Sequence, residues 1–550
     1  MPPRETGQGR LLSEHIERLV SLVPQNAAHP LQVSIRTYSL AAFLSLFPSL
    51  LPFLTNSSKK PLKHVLYREL HYTGFAFAVT TAVGGGSFLR EAWRTLDETS
   101  SDRVEFTKLK QWVSSKLSAA QKTFISNVVS STVGLLLLQA GRRRSTRVKS
   151  SSHDESASRT LDLTLLLLVR ALDAGVQSFV ARRSGSRRES DAKPALLSPQ
   201  HLAAIAKRAS MRMQIDSLVF WACSARIMWC FFYEPERLPR SYVKWINALA
   251  GVDPRLLEAL RGLRSRTWSY RKGVSHKPDL LTSYARDLGY PSVWGDPSHL
   301  PAYGGAQAND AWKRLGISNR VGIGGIPCEM VHGHVGSNLG LEASCTANAS
   351  LRGVKAFFEA VAIYLPVQFL PILLSRPRAL LDPKRILQSL FGALRSAMFL
   401  STFLSSFWFS VCVTRTLVVA RMLPSVSHDF WDSELGCILA GCMVCGSSIW
   451  IENGRRRGEM ALYVLPKALR AWLPRRWIRS QSWKLQLAER LTFILSLSSL
   501  MTAASHYPHV LRGLSRWGLR FIVRGPDVIL WRNSNVRTRS EESNSVSPRP

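Results

Sequence analysis

Charged residues along this chain are bunched, and the stretches between the bunches carry none. Thr37 to Thr55 is free of charge between Arg36 and Lys59, and Leu70 to Leu89 between Glu69 and Arg90. The same holds for Thr123 to Gly141, Ser396 to Thr414 and Leu491 to Leu511. Each window reaches the roughly 18 to 20 residues that cross a hydrocarbon core about 30 Å thick at about 1.5 Å per helical residue. Three further windows are interrupted or short: Ser217 to Tyr233 carries Arg226, Ala360 to Ser375 carries Pro366 and Pro371, and Leu435 to Ile451 is slightly brief. The pattern predicts an all-α, multipass helical membrane protein. Eight crossings fall into two groups of four, separated by a soluble segment at about 250 to 353.

The two groups read as tandem repeats. VGLLLLQAGRRR, ending at Arg144, matches SSIWIENGRRR, ending at Arg457, since each is an apolar run closed by Gly and three Arg. After each comes a short element, TLLLLVRALDA (164 to 174) or ALYVLPKALRA (461 to 471), aligning Arg170, Ala171 and Leu172 with Lys467, Ala468 and Leu469. Two spans precede and one follows the match in both copies. The resulting organisation is an amino-terminal extension at 1–30, a first membrane repeat at 31–250, a soluble linker at 251–353, a second membrane repeat at 354–525 and a disordered tail at 526–550. Only the seven residues Leu163 to Val169 and their counterparts Met460 to Pro466 are free of charge in the short element. It is therefore expected to lie at the interface or re-enter, with Arg170 and Lys467 reaching toward headgroups. Four crossings then separate the basic loops Arg142, Arg143, Arg144 and Arg455, Arg456, Arg457, which places both on one face, as the positive-inside tendency favours. An inverted repeat of transporter type is the alternative.

Composition narrows the class. Across 550 residues, 46% are hydrophobic and 20% charged, which excludes a disordered chain, and 8 Cys are too few for a disulfide-dense secreted domain. The 72 Lys and Arg against 37 Asp and Glu leave a formal net charge of +35. A field of that size suits nucleic acid as well as anionic lipid. The apolar spans between the basic clusters favour lipid headgroups, and no nucleic-acid partner is expected. The first twenty residues lack the apolar core of a signal peptide, and Glu5, Glu14 and Glu17 weaken a mitochondrial presequence reading, so insertion is expected to use internal segments.

The run IWIENGRRRGEMALYVLPKALRAW, preceded by IPCEMVHGHVGSNLGLEASC and FFEAVAIYLPVQFLPILL, resembles fungal members of the transmembrane protein 135 family, relatives of the mitochondrial inner-membrane translocase and peroxisomal membrane protein group. The resemblance covers about 320 to 475 well and the first repeat more weakly. It implies a mitochondrial or peroxisomal membrane rather than the plasma membrane, and a role in lipid handling or membrane dynamics. The family's compact C-x-x-x-H-P and S-C pattern departs here: Gly333 replaces the Pro, and about ten residues separate His332 from Ser344 and Cys345.

Several residues carry candidate chemistry. Cys328, His332, His334 and Cys345 in the linker are soft and borderline zinc ligands, but both Cys stand singly rather than in paired spacings. A Cys328–Cys345 disulfide and a packing loop are the other readings, and Gly333, Gly336 and Gly340 let the chain turn back so that the two Cys approach. Cys437, Cys442 and Cys445 alternate with Gly436, Gly441 and Gly446, a small-residue pattern that suits close helix packing better than redox chemistry. Gly84, Gly85 and Gly86 lack the strand-to-helix context of a phosphate loop and read as a kink or close contact. Arg226 lies inside a predicted span and is a candidate for transport or headgroup contact, against a reading in which it snorkels or pairs across the bundle. No G-x-S-x-G, H-E-x-x-H or Walker-type loop occurs. The expected function is therefore a non-catalytic, multipass organelle-membrane protein in lipid or solute movement or membrane organisation, needing no cofactor; the alternative is a membrane-embedded lipid-modifying enzyme.

Overall fold

The computed structural model describes residues 28–54, 62–72, 74–98, 117–147, 160–183, 199–317, 320–375, 382–479 and 482–525, with Pro24 and Asn26. Most of the amino-terminal extension, most of the Ser-rich and Arg-rich tracts at 141 to 160 and 182 to 194, and the carboxyl tail lie outside them. The described chain is almost wholly helical. In order the helices are α1 (Pro30–Leu54), α2 (Leu62–Leu70), α3 (Phe75–Glu98), α4 (Ala119–Arg147), α5 (Leu161–Arg183), α6 (Pro199–Tyr233), α7 (Arg240–Ala250), α8 (Pro254–Ser265), α9 (Asp279–Asp287) and α10 (Ala306–Arg314). There follow α11 (Cys328–His332), α12 (Cys345–Ser375), α13 (Pro383–Cys412), α14 (Val419–Met422), α15 (His428–Trp431), α16 (Cys437–Cys445), α17 (Gly454–Trp472), α18 (Arg475–Arg479), α19 (Trp483–His506) and α20 (Gly513–Arg524). One small antiparallel hairpin, β1 (Trp268–Ser269) and β2 (Val274–Ser275), pairs Trp268 with Ser275.

The chain divides into two compact units, one discontinuous, from 1–193 and 479–550, and one inserted within it, from 194–478. In the discontinuous unit α1 packs on α3, α3 on α4, and both α4 and α5 on α19. These contacts depend on small residues. A Cβ at Gly84 would meet Ser34 Oγ at 2.2 Å, and one at Gly86 would meet Asn127 Oδ1 at 2.2 Å, so the triple glycine is a close-contact point of α3 against α1 and α4. In the inserted unit α12 packs on α13, α13 on α16, and both α16 and α17 on α6. Local sequence starts several of these helices: Asp253 and Asp382 accept from the amides of Arg255 and Lys384, each with Pro at the first helical position, and Asn453 caps α17 through the Arg455 amide.

Among the described residues, five helical stretches are long and apolar enough to cross a membrane: Ala119–Ala140, Leu161–Arg182, Ala206–Tyr233, Pro383–Met422 and Trp483–His506. Eight were expected, and the differences have physical causes. The window beginning at Leu70 is broken where the chain turns between α2 and α3: Gly74 sits against the backbone oxygens of Glu69 and His71, and the helix resumes only at Phe75 and runs on into Arg90, Glu91 and Arg94. Cys437–Ile451 is an apolar helix too short to span. The windows at 37–55 and 360–375 form α1 and α12, helices of 25 and 31 residues that are not among the five. The first-copy short element is the opposite correction. It was expected not to span, yet Leu161–Arg182 qualifies, because Arg170 interrupts the charge-free run without ending the helix. Leu172, Val176, Phe179 and Val180 face outward along it. With Leu161–Arg182 long enough to cross, a shared face for the two basic loops no longer follows from the number of crossings between them. Arg142 to Arg144 lie in the last turns of α4, whereas Arg455 to Arg457 open α17.

Candidate functional site

Linker and membrane helices share one core in the inserted unit. Leu256, Trp268, Leu281 and Trp312 from the linker pack in the same cluster as Phe231, Phe407 and Cys437. At its centre lies a closed polar network. Asp432 takes Arg415 Nε at 2.6 Å and Nη2 at 3.1 Å on its two oxygens, and the Tyr270 hydroxyl donates to it at 2.8 Å. Arg415 reaches this position from a π-helical turn, Val413–Leu417, that follows α13 and also donates to the Ile326 carbonyl at 2.9 Å. His428 accepts from the Gly324 amide at Nε2, 3.1 Å away. Burial acts to raise the Asp432 carboxyl, and the Arg415 guanidinium outweighs it, holding the group below the usual carboxylate range. Burial pushes His428 down to about 3, so it is neutral. Arg415, His428 and Asp432 are close in the chain but follow no recognisable spacing, and Tyr270 and Gly324 join them from segments more than a hundred residues away.

Beside this network stands a sulfur-rich cluster. Cys328 opens α11, His332 closes it and Cys345 opens α12; their ligand atoms all lie within 4.8 Å of one another. Cys412, the last residue of α13, packs against both Cys, and its sulfur is 3.7 Å from His332 Nε2. All four residues are buried. The expected approach of Cys328 and Cys345 is therefore present, with both as free thiols rather than a disulfide. His334 is exposed and stays outside the cluster. Sequence reading missed Cys412, which hides in an apolar run, and Arg320, whose Nη2 is 4.0 Å from Cys328 Sγ. The Cys345 thiol and burial hold Cys328 well above the ordinary thiol value, and burial lowers His332. The His332 Nδ1 lies 2.6 Å from the Glu342 carbonyl, which fixes its proton there and leaves the Nε2 lone pair facing the sulfurs.

The remaining candidates resolve into packing. Arg226 Nη2 donates to the Ala471 carbonyl at 3.0 Å, beside Arg237 Nη1 at 3.1 Å, so it caps the end of α17 across the bundle. A Cβ at Gly441 would meet the Phe407 ring at 2.9 Å and one at Gly446 would meet Trp221 at 2.6 Å, which places the Gly and Cys face of α16 against α13 and α6. Arg456 donates to Ser396 at 2.9 Å, and Arg457 to the Trp450 and Glu452 carbonyls at 2.8 and 2.9 Å. The side chains of Arg142, Arg143 and Arg144 lie outside the described residues.

A second opening is apolar. A cavity of about 160 Å³ is lined by Phe220, Ile227, Met228, Ile246, Leu249, Phe399, Leu400, Phe403 and Leu404, with Ser224, Tyr242, Trp245, Tyr364 and Tyr463 as its polar-tipped residues. Lys467 sits over the Tyr463 ring at 3.4 Å and the Tyr242 ring at 5.2 Å. Compared with known family models, curated proteins and solved structures, the chain matches none.

Proposed function

We propose that this chain is a multipass organelle-membrane protein of transmembrane protein 135 type that handles lipid without catalysis, in a mitochondrial or peroxisomal membrane. The observation that carries this is the apolar cavity of the inserted unit. An apolar cavity of about 150 Å³ accepts benzene, so this one suits a segment of hydrocarbon chain rather than a headgroup. Trp245 and Tyr463 are exposed at 44% and 56%, which puts aromatic rims with polar tips where such rings favour the membrane interface. Lys467, stacked on two of the lining tyrosines, supplies the cation for an anionic headgroup. No Asp, Glu, His, Lys, Arg or Cys lines the cavity, which favours holding over chemistry. The enzyme alternative would use His428 and Asp432, but their hydrogen bonds are internal and the cavity Asp432 lines is only about 40 Å³ and otherwise almost wholly apolar.

The tandem repeat belongs to the same reading. In each unit the two leading long helices and the third follow one another in contact, and the third and the short element both pack on a closing helix. Those closing helices are exchanged: α19, the last of the second copy, completes the first, and α6, the last of the first copy, completes the second. Two copies of one plan, each finished by the other's helix, account for the repeated Gly-Arg-Arg-Arg and for the division of the chain.

Detergent-purified protein analysed for co-purifying lipid tests the lipid reading. Leu404→Trp, which fills the cavity, is expected to remove the bound lipid, and Lys467→Gln to shift its headgroup composition away from anionic species. Lipid retained unchanged by both variants would overturn the assignment. Fluorescent tagging against organelle markers tests the location.

A further inference from the structure

We propose that Cys328, Cys345, Cys412 and His332 bind a structural zinc ion. Zinc prefers tetrahedral sites of thiolate sulfur and imidazole nitrogen, with bonds of about 2.3 Å to sulfur and 2.0 Å to nitrogen, so its ligand atoms stand about 3.3 to 3.8 Å apart. Cys328, His332 and Cys345 lie within 4.8 Å of one another, and Cys412, outside that trio, packs against both sulfurs with its Sγ 3.7 Å from His332 Nε2. A difference of about 1 Å is within the reach of side-chain rotation. The imidazole is also set for the task. Its Nδ1 proton is held by the Glu342 carbonyl, and Arg352 Nη2 donates to the His332 carbonyl at 2.9 Å, fixing the backbone behind the ring. Such outer partners are what orient a ligating histidine.

A second, independent observation is a buried cation with no counter-ion in contact, Glu329 and Asp432 acting on it only at longer range. Arg320 is 4% exposed, and its Nε and Nη1 make no hydrogen bond. Among the described residues no carboxylate lies within ion-pair distance of it; its guanidinium rests over the Trp312 ring at 4.6 Å and touches Cys328 Sγ. A guanidinium buried in this way is costly unless an anion is near. Three thiolates and a neutral imidazole around a divalent ion carry one net negative charge, which the single charge of Arg320 offsets. Binding transfers three thiol protons to solvent and needs no oxidant, unlike a disulfide. Arg415 does not serve as this counter-ion because Asp432 already takes it at 2.6 Å.

The ion would tie the linker, through α11 and the start of α12, to the end of α13 where the π turn begins. Metal content of the full-length protein, purified in detergent with its affinity tag removed, tests this. One zinc per chain is expected, and cobalt exchanged into the site should show thiolate-to-metal charge transfer with tetrahedral d–d bands. Cys412→Ser should weaken zinc retention by about tenfold or more, a loss typical of disturbed metal sites, while His334→Ala should leave it unchanged. If the serine variant fails to fold, the cobalt spectrum of the unaltered protein decides independently. Absence of both zinc and the thiolate band overturns the proposal. So does a mass two hydrogens lighter under non-reducing conditions, which reports a disulfide, or zinc that survives Cys412→Ser undiminished.

Discussion

The discontinuous and inserted units share an order of helix contacts and differ in what fills them. In the discontinuous unit the apolar interior is scattered into small clusters, such as Val33, Val83, Met501 and Ile522, and between them lie hydroxyls and amides: Ser130 donates to the Ala82 carbonyl at 2.9 Å, and Asn127 to Thr502 at 3.3 Å. The inserted unit has one continuous core rich in aromatic rings, with Phe232 and Phe407 stacked 5.3 Å apart, and a buried ion pair at its centre. Small residues let helix backbones approach where lipid removes the hydrophobic drive between them; large apolar side chains earn their stability where water must be excluded. The inserted unit, which contains two of the membrane-crossing stretches, adds a large aromatic core to close helix contacts of the same kind.

The largest expected effect tests the inserted unit. Asp432→Asn leaves Arg415 buried beside a neutral amide, and loss of one partner of such a pair destabilises by about 3 to 5 kcal/mol. Thermal unfolding and limited proteolysis should show the inserted unit opening while the discontinuous unit persists. If both open together, their forces are not separable in this way.

Glycine substitutions sharpen the other side. A Cβ at Gly134 meets Ala82 Cβ at 2.5 Å and the Ala78 carbonyl at 2.8 Å, whereas one at Gly353 meets Ser405 Cβ at 3.0 Å. Gly134→Ala is expected to destabilise by about 1 to 3 kcal/mol, and Gly353→Ala by less. Equal losses in a denaturation series would show that close backbone approach matters no more in one unit than in the other.

Acid should act on the inserted unit first. His428 faces Asp432, Arg415 and Arg320, and burial lowers it from 6.5 to about 3. Between those values the unfolded chain binds a proton that the folded chain does not, so stability falls as pH drops from about 6.5 toward 3. Neutral, buried His332 adds to the loss in the same direction. Unfolding followed across this range should be steeper for the native sequence than for His428→Gln; an equal slope would remove His428 as the cause. The smallest effect is expected at Arg226. Arg226→Gln removes one of three side-chain donors to the Ala471 carbonyl, about 0.5 to 1.5 kcal/mol, and lipid content should not change.

Much of the helical plan is legible in the sequence, because charge distribution along the chain directly reflects which surfaces meet water. Charge counting failed where a helix tolerates an interior basic residue, as α5 does at Arg170, and where glycine and backbone crowding end a helix inside an apolar window, as at Gly74. The site was half legible. Cys328, His332 and Cys345 are close in sequence, so their convergence needs only a turn of the linker. Cys412 and Arg320 join them through tertiary packing alone, and an isolated Cys in an apolar run has the same signature as any buried small residue.

The discontinuity of the first unit also sets an order of assembly during synthesis. A ribosome delivers α1 to α5 first, yet the helix they pack against, α19, emerges after the whole inserted unit. The early bundle must wait in the bilayer with an open side while α6 to α17, which need nothing later, can close on themselves. The inserted unit is thus the natural first folding unit, and the open flank of α4 and α5 is a standing invitation to an insertion factor or to the wrong helix until α19 arrives.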